Sequence, residues 1–337
     1  MNISITNECN RRCDYCFQKS WYLSSKDIPK QEMSLENIAK LIDMEHSVCK
    51  DGEKHIKVMG GEPLLYSKLE EMLDMIRTKN TKITFISNIS IDTKKLEHIL
   101  DTYDDIIAGW LINTDYPEAH KELFIRNFKL FVDRNIGFSI SSTLYPSTEK
   151  IMESADRICG LLDIINKSET FDRVPELRIS PMTPNHIENP FYDYSMDVLN
   201  FLQKIWEVNI CNTHFDCSIN ACEFHPEVID MFDKFANVHF KNDMCCGSGP
   251  FDVLVDGKVI YCSSTKDIIW LDNIFDYENV IHARDAMTTQ WKNYWKNEPL
   301  ACDYANCGKL NPAYCSGMCP ARNHVLYQMK ERGEILC

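Results

Sequence analysis

The sequence predicts an α/β fold: a partial (β/α)6 TIM-like barrel over residues 1–185, then a connecting region over 186–243 and a cysteine-rich domain over 244–337. Three observations carry this reading. Short β-like runs alternate with amphipathic stretches six times in the first half. A cysteine triplet and a glycine pair fall just after the first two of those runs. Seven spaced cysteines fill the last 92 residues, from Cys246 to Cys337.

The six strands are read at Asn2–Thr6, His55–Met59, Ile83–Ser87, Ile106–Ile112, Phe138–Thr143 and Glu176–Ser180. Between them, Leu69, Met72, Leu73 and Ile76 recur at helical spacing, with Ser67 and Glu70 reading as a capping box. Phe124, Phe128 and Phe131 mark another buried stripe, and Ile158, Leu161, Leu162 and Ile165 a third. Repeated βα units imply a parallel sheet, and such sheets gather reactive groups at the C-terminal ends of their strands. From Pro184 to Asp243 the pattern is less regular, around one helix near Tyr194–Ile210.

The chain has 337 residues, a formal net charge of −14 and no long basic run, which argues against nucleic acid or an anionic membrane as partner. It shows neither an apolar stretch near 18 residues nor a signal peptide. Sixteen cysteines without an export signal point to metal or redox chemistry in a cytoplasmic setting low in oxygen, not to a disulfide framework.

Cys9, Cys13 and Cys16 are spaced C-x3-C-x2-C, with Tyr15 before the third. Three thiolates can hold three irons of a [4Fe–4S] cluster and leave the fourth iron open, whereas a structural zinc site closes with four ligands. Met59-Gly60-Gly61-Glu62-Pro63 ends the second strand; two glycines permit close backbone approach, and Glu62 adds an acceptor. Further on, Asp256-Gly257 between Val253–Val255 and Lys258–Tyr261 is a hairpin signal that brings Cys246 and Cys262 near one another. Cys302, Cys307, Cys315 and Cys319 follow as C-x4-C-x7-C-x3-C, with Cys337 last.

The triplet with its tyrosine resembles the signature of the radical S-adenosylmethionine (SAM) superfamily, and the C-terminal cysteines resemble its SPASM extension. The resemblance implies that Cys9, Cys13 and Cys16 carry a SAM-binding [4Fe–4S] cluster, that Tyr15 lies beside the adenine, and that Gly60, Gly61 and Glu62 receive the amino group of SAM. It places a ribose contact at Asn113. It also implies two auxiliary [4Fe–4S] clusters in an iron–sulfur domain, one on Cys246, Cys262 and Cys319, the other on Cys302, Cys307, Cys315 and Cys337. Three clusters and SAM are thus the expected cofactors. The block spacings x4 and x7 exceed the family's x2 and x5. The fourth ligand of the first auxiliary cluster stays open between Cys245, Cys222 and a substrate atom. A zinc-ribbon module is the structural alternative.

Family chemistry is reductive cleavage of SAM to a 5′-deoxyadenosyl radical that abstracts hydrogen from substrate, with an electron donor such as flavodoxin or ferredoxin. The resemblance implies a precursor-peptide substrate and an oxidative crosslink, with no separate leader-binding domain ahead of the first strand. A formylglycine-forming sulfatase maturase is the alternative, weakened by Ser263 where those enzymes commonly carry Asp. A small-molecule dehydrogenase is a third reading, and a non-catalytic metal-binding protein a fourth.

Other residues have blander expectations. Cys49 and Cys159 read as buried thiols, and Trp291, Tyr294 and Trp295 as core packing. Cys211, His214, Cys217, Cys222 and His225 form a loose cluster of possible zinc ligands. Arg178 faces either a carboxylate ligand or an ion-pair partner. Asp115, Tyr145 and Asp252 are the candidate bases.

Overall fold

The computed structural model describes residues 1–16, 18–48, 54–181, 192–216, 224–232, 234–239, 251–261, 265–297 and 320–333. The expected ligands Cys245, Cys246, Cys262, Cys302, Cys307, Cys315, Cys319 and Cys337, with Cys49, Cys217, Cys222 and Ser263, lie outside the described residues.

Strands β1 (Asn2–Ser4), β2 (His55–Met59), β3 (Lys82–Ser87), β4 (Ile107–Asn113), β5 (Phe138–Leu144) and β6 (Glu176–Pro181) pair in parallel, in chain order. Helices α1 (Leu35–His46), α2 (Leu69–Thr78), α3 (Thr93–Tyr103), α4 (Lys121–Asp133) and α5 (Thr148–Asn166) connect them. Ser34, Asp92 and Ser147 start α1, α3 and α5 by accepting from backbone N–H groups in the first turn. Strand alternation sorts the two sheet faces. Ile56, Val58, Ile83, Phe85, Trp110, Ile112, Leu177 and Ile179 join one core with the helix stripes, including Leu73, Phe128, Phe131 and Leu162. On the other face Lys57, Thr84, Ile86, Leu111, Ser139 and Arg178 line a cavity of about 450 Å³.

Two expectations change here. The sheet does not stop after six strands. Helix α6 (Ser195–Val208) leads into β7 (Asn212–Phe215), and α7 (Pro226–Phe232) into β8 (Val238–His239), both strands parallel to the rest. The stretch read as a connection therefore continues the βα pattern; strands of four and two residues are too short to carry a periodic signal. The capping box at Ser67 also does not form. The N-cap of α2 is Lys68, without a side-chain bond, while Ser67 bonds Glu32 through its backbone N–H at 3.0 Å and through its hydroxyl.

The hairpin β9 (Asp252–Val253) and β10 (Val259–Ile260) turns at Asp256-Gly257, where Gly257 holds φ +87°. It adds to the same sheet: β9 pairs in parallel with β1, Asn2 opposite Asp252, and β11 (Trp270–Leu271) follows β10. The result is one 11-stranded sheet ordered β11-β10-β9-β1-β2-β3-β4-β5-β6-β7-β8. Helices α8 (Val280–Asn297) and α9 (Pro320–Glu331) follow. On α8, Trp291 and Tyr294 are buried and pack edge-on against Trp295, as core packing requires. Among the described residues no helix is long and apolar enough to cross a membrane.

Asp252 accepts from Asn2 Nδ2 at 2.8 Å, and its burial pushes the carboxyl up to about 6. It sits at the start of β1, the end of the strand opposite the cysteine triplet, so it is not placed to act as a base there. A carboxyl with a raised folded pKa stabilises the fold fully below its unfolded value of about 3.9, and that contribution is lost as pH rises through about 6. Asp252→Asn should therefore gain on the wild type between about pH 4 and pH 7, by on the order of 2–3 kcal/mol. Urea denaturation of both proteins across that range checks this; parallel curves would refute it.

Candidate functional site

The loops after β1 to β5 meet at the C-terminal edge of the sheet. Beyond β1 the chain runs through Thr6–Glu8 into the cysteine triplet, pressed against the Gly60–Glu62 loop. Gly61 N–H donates to Thr6 O at 2.8 Å and Glu62 N–H to Glu8 O at 2.7 Å. A Cβ at Gly60 would stand 2.3 Å from Thr6 O, and one at Gly61 2.2 Å from Glu8 O. Both positions need glycine because two backbones pass without room for a side chain.

Cys9, Cys13 and Cys16 are half-buried in this one loop. Cys16 N–H donates to Cys13 O at 3.1 Å, closing a turn. The Cys9 sulfur accepts from Arg11 N–H at 3.4 Å and faces Asn88 Nδ2 at 3.9 Å, while the Cys13 thiol points at Asp115 O, 3.8 Å away. Burial pushes all three thiols up, Cys9 to about 12, with the Glu62 charge adding there. Among the described residues no three Cys, His, Asp or Glu side chains converge as a metal site. A cation converts such thiols to thiolates and closes the loop on itself, so donor chemistry and spacing fit a metal cluster.

Glu62 is fully buried. Its carboxylate accepts from Ser87 Oγ at 2.7 Å, Asn88 N–H at 2.7 Å and Leu64 N–H at 3.2 Å. The side chain therefore ties the end of β2 to the end of β3 instead of opening into a pocket; burial raises its pKa and these donors oppose the rise. Tyr15 packs edge-on to Tyr145, ring centroids 6.0 Å apart, with its hydroxyl on the Cys13 sulfur. Asn113 acts as a turn former: its Oδ1 accepts from Asp115 N–H at 3.1 Å.

Asp115 is a second buried acid of this edge. Oδ2 accepts from Thr143 N–H at 3.1 Å, while Oδ1 has no hydrogen-bond partner and lies 3.7 Å from Arg157 Nη1. Burial pushes its carboxyl up to about 6. A cavity of about 230 Å³ opens here between Cys13, Asp115, Tyr145, Lys150 and Arg157. Sequence reasoning named Asp115 and Tyr145 but missed Arg157, which lies four residues after Glu153 on α5 and reads as a surface ion pair. An apolar wall closes the other side: Tyr22 and Leu23 pack with Leu254, Val255 and Ile260 of the hairpin, against Cys9 and Cys16.

The remaining candidates lie elsewhere. Arg178 is paired to Glu176 at 2.8 Å and Asp216 at 3.1 Å, so the ion-pair reading holds. Cys211 is buried beside Thr213, and His214 stacks on His239. The Cys159 thiol donates to Lys204 O at 3.6 Å.

Gly61→Ala should destabilise the protein by roughly 2 kcal/mol or more, because its new Cβ meets backbone instead of a side chain that could rotate away. Urea unfolding reads this directly, and unchanged stability would show that the two loops can separate.

Residues 3–158 match the family profile described as the radical SAM superfamily. A GTP 3',8-cyclase of Staphylococcus epidermidis is 31% identical over 244 residues, 69% of this chain and 66% of that protein. The chain spans about half the length of the curated relatives it matches, 54% of one in Methanococcus aeolicus. Among solved structures, Streptococcus suis SuiB bound to precursor peptide SuiA covers 94% of this chain and 71% of its own, with TM-score 0.59 and 15% identity. The structure of anSMEcpe with bound AdoMet covers 99% of this chain and 95% of its own, with TM-score 0.56 and 15% identity. At such identities these likenesses speak to the fold alone. Profile, fold and the cysteine and glycine loops agree: residues 3–158 of the chain match the radical SAM superfamily.

Proposed function

We propose that this protein is a radical SAM enzyme that oxidatively modifies a peptide. The observation that carries the chemistry is the cysteine loop held against Gly60–Glu62 at the C-terminal edge of a parallel sheet. When bound on Cys9, Cys13 and Cys16, a [4Fe–4S] cluster with SAM supplies one-electron chemistry: reductive cleavage of SAM and removal of a hydrogen atom from substrate. The chain's own residues prepare the place. Gly60 and Gly61 fix the loop at backbone distance, and Glu62 locks the ends of β2 and β3 beneath it. Tyr15 and Tyr145 form an aromatic wall on the Cys13 side, and the Tyr22–Leu254 patch keeps water from Cys9 and Cys16. The unpartnered Oδ1 of Asp115 accepts a hydrogen bond from a ligand hydroxyl or ammonium.

Net oxidation requires an electron acceptor. In this reading residues 244–337 form the auxiliary domain, with two further clusters on Cys246, Cys262 and Cys319 and on Cys302, Cys307, Cys315 and Cys337. A small redox protein such as flavodoxin or ferredoxin delivers the first electron.

The peptide substrate draws support from the open sheet face and from the likeness of the fold to SuiB over 94% of this chain. The identity to GTP 3',8-cyclases favours a second reading, a nucleotide substrate. A triphosphate needs several cations; among the described residues Arg178 on the open face is already paired to Glu176 and Asp216, with Lys57 and the rim residue Arg173 beside it, while Arg12, Lys150 and Arg157 line the cavity at Cys13.

Protein reconstituted without oxygen should hold about 12 irons per chain, three clusters of four. Replacing Cys9, Cys13 and Cys16 together with Ala should leave about two-thirds of that iron and abolish formation of 5′-deoxyadenosine. Survival of SAM cleavage in the triple variant would sink the assignment. Turnover of GTP would replace the peptide reading with the nucleotide one.

A further inference from the structure

Arg11 lies between Cys9 and Cys13 in the sequence, yet it points inward and is only 3% exposed. Its Nη2 donates to Asn88 O at 3.0 Å and to Ser90 Oγ, and its Nη1 to Asn113 O at 3.4 Å. The guanidinium rests on the Phe124 ring, 5.4 Å from its centroid. One side chain thus pins the cysteine loop to the ends of both β3 and β4. Its acceptors are two carbonyls and a hydroxyl; no carboxylate reaches it within ion-pair distance among the described residues, and Nε is buried without a hydrogen-bond partner. An Arg held this way is costly, because a buried charge without a counter-charge loses hydration and gains little in return.

The groups that could supply negative charge to it, none within ion-pair distance, are the Cys9 and Cys13 sulfurs, the Tyr15 hydroxyl and the buried Glu62 and Asp115. Three thiolates in one half-buried loop face the mirror problem: their mutual repulsion needs a cation nearby. We infer that Arg11 is a positioning residue for the three-thiolate centre, clamping the cysteine loop onto β3 and β4 and supplying the buried positive charge that offsets the ligands. The electrostatic part rests on Cys9, Cys13 and Cys16 being metal ligands; the clamp does not. A fixed positive charge favours the reduced, more negative state of a cluster, so Arg11 holds the reduction potential up.

The test compares Arg11→Gln, which removes the charge, with Arg11→Lys, which keeps it without the fork. In full-length protein free of iron, both changes should speed amide exchange in residues 9–16 and 88–90 about tenfold or more, the scale of one lost hydrogen bond to a charged group, while α2 stays as in the wild type. Ser90→Ala, which removes one acceptor, should do the same more weakly, and it serves if the Arg11 variants fail to fold. In reconstituted protein the midpoint potential of the SAM-responsive cluster should become more negative in Arg11→Gln and stay near the wild type in Arg11→Lys. Unchanged exchange in all three variants overturns the clamp. Equal potentials in wild type, Arg11→Gln and Arg11→Lys overturn the electrostatic role. Wild type and the triple cysteine variant holding equal iron would overturn the ligand assignment, and the electrostatic role with it, while exchange still decides the clamp.

Discussion

Everything at the reactive edge depends on two stretches of backbone passing without side chains between them. Residues 6–8 and 60–62 exchange two hydrogen bonds across a gap that a single methyl group would fill. That contact fixes where the cysteine loop leaves β1. It also turns Glu62 downward, where its carboxylate collects donors from the end of β3. The cysteine loop, the glycine loop and the β3 loop are therefore tied together by hydrogen bonds. A sheet can supply this rigidity only at its strand ends, where the backbone is anchored on one side and free on the other.

The polar interior of this edge is unusual in its accounting. Glu62, Asp115 and Arg11 are all buried, and each retains at least one feature that protein partners do not settle: a raised carboxyl pKa, an unpartnered oxygen, an unpartnered Nε. Buried groups left short of partners destabilise a fold unless something else completes them. All three lie at the strand ends beside the cysteine loop, and Asp115 also lines the cavity at Cys13.

Much of this was legible in the sequence because it rests on local rules. All six expected strands appear within two residues of their expected ends, since apolar alternation and flanking turns set them, and the Asp256-Gly257 hairpin forms where its two-residue turn requires. The cysteine triplet and glycine pair stand side by side, as strand-end placement implied. What the sequence hid was long-range. Strands β7 and β8 are too short to show a period, and Ser67 prefers Glu32, 35 residues away, to the start of its own helix. Glu62 reads as a ligand acceptor in the sequence, which carries no sign that Ser87 and Asn88 also donate to it. Arg11 and Arg157 carry no signal in the sequence, because nothing local reports that a guanidinium turns inward.

The parallel pairing of β9 with β1 joins residues 250 positions apart in the chain. Strand β1 precedes β9 in the chain, so one of its edges stays unpaired until β9 has been made and docks. Closing so long a loop is slow, and contacts of this range form late in folding. The apolar wall beside Cys9 and Cys16 arrives with the same hairpin. Until the hairpin docks, the side of the cysteine loop that it covers is open to solvent. Assembly order is written into the sheet: that side closes only when β9 and β10 take their place beside β1.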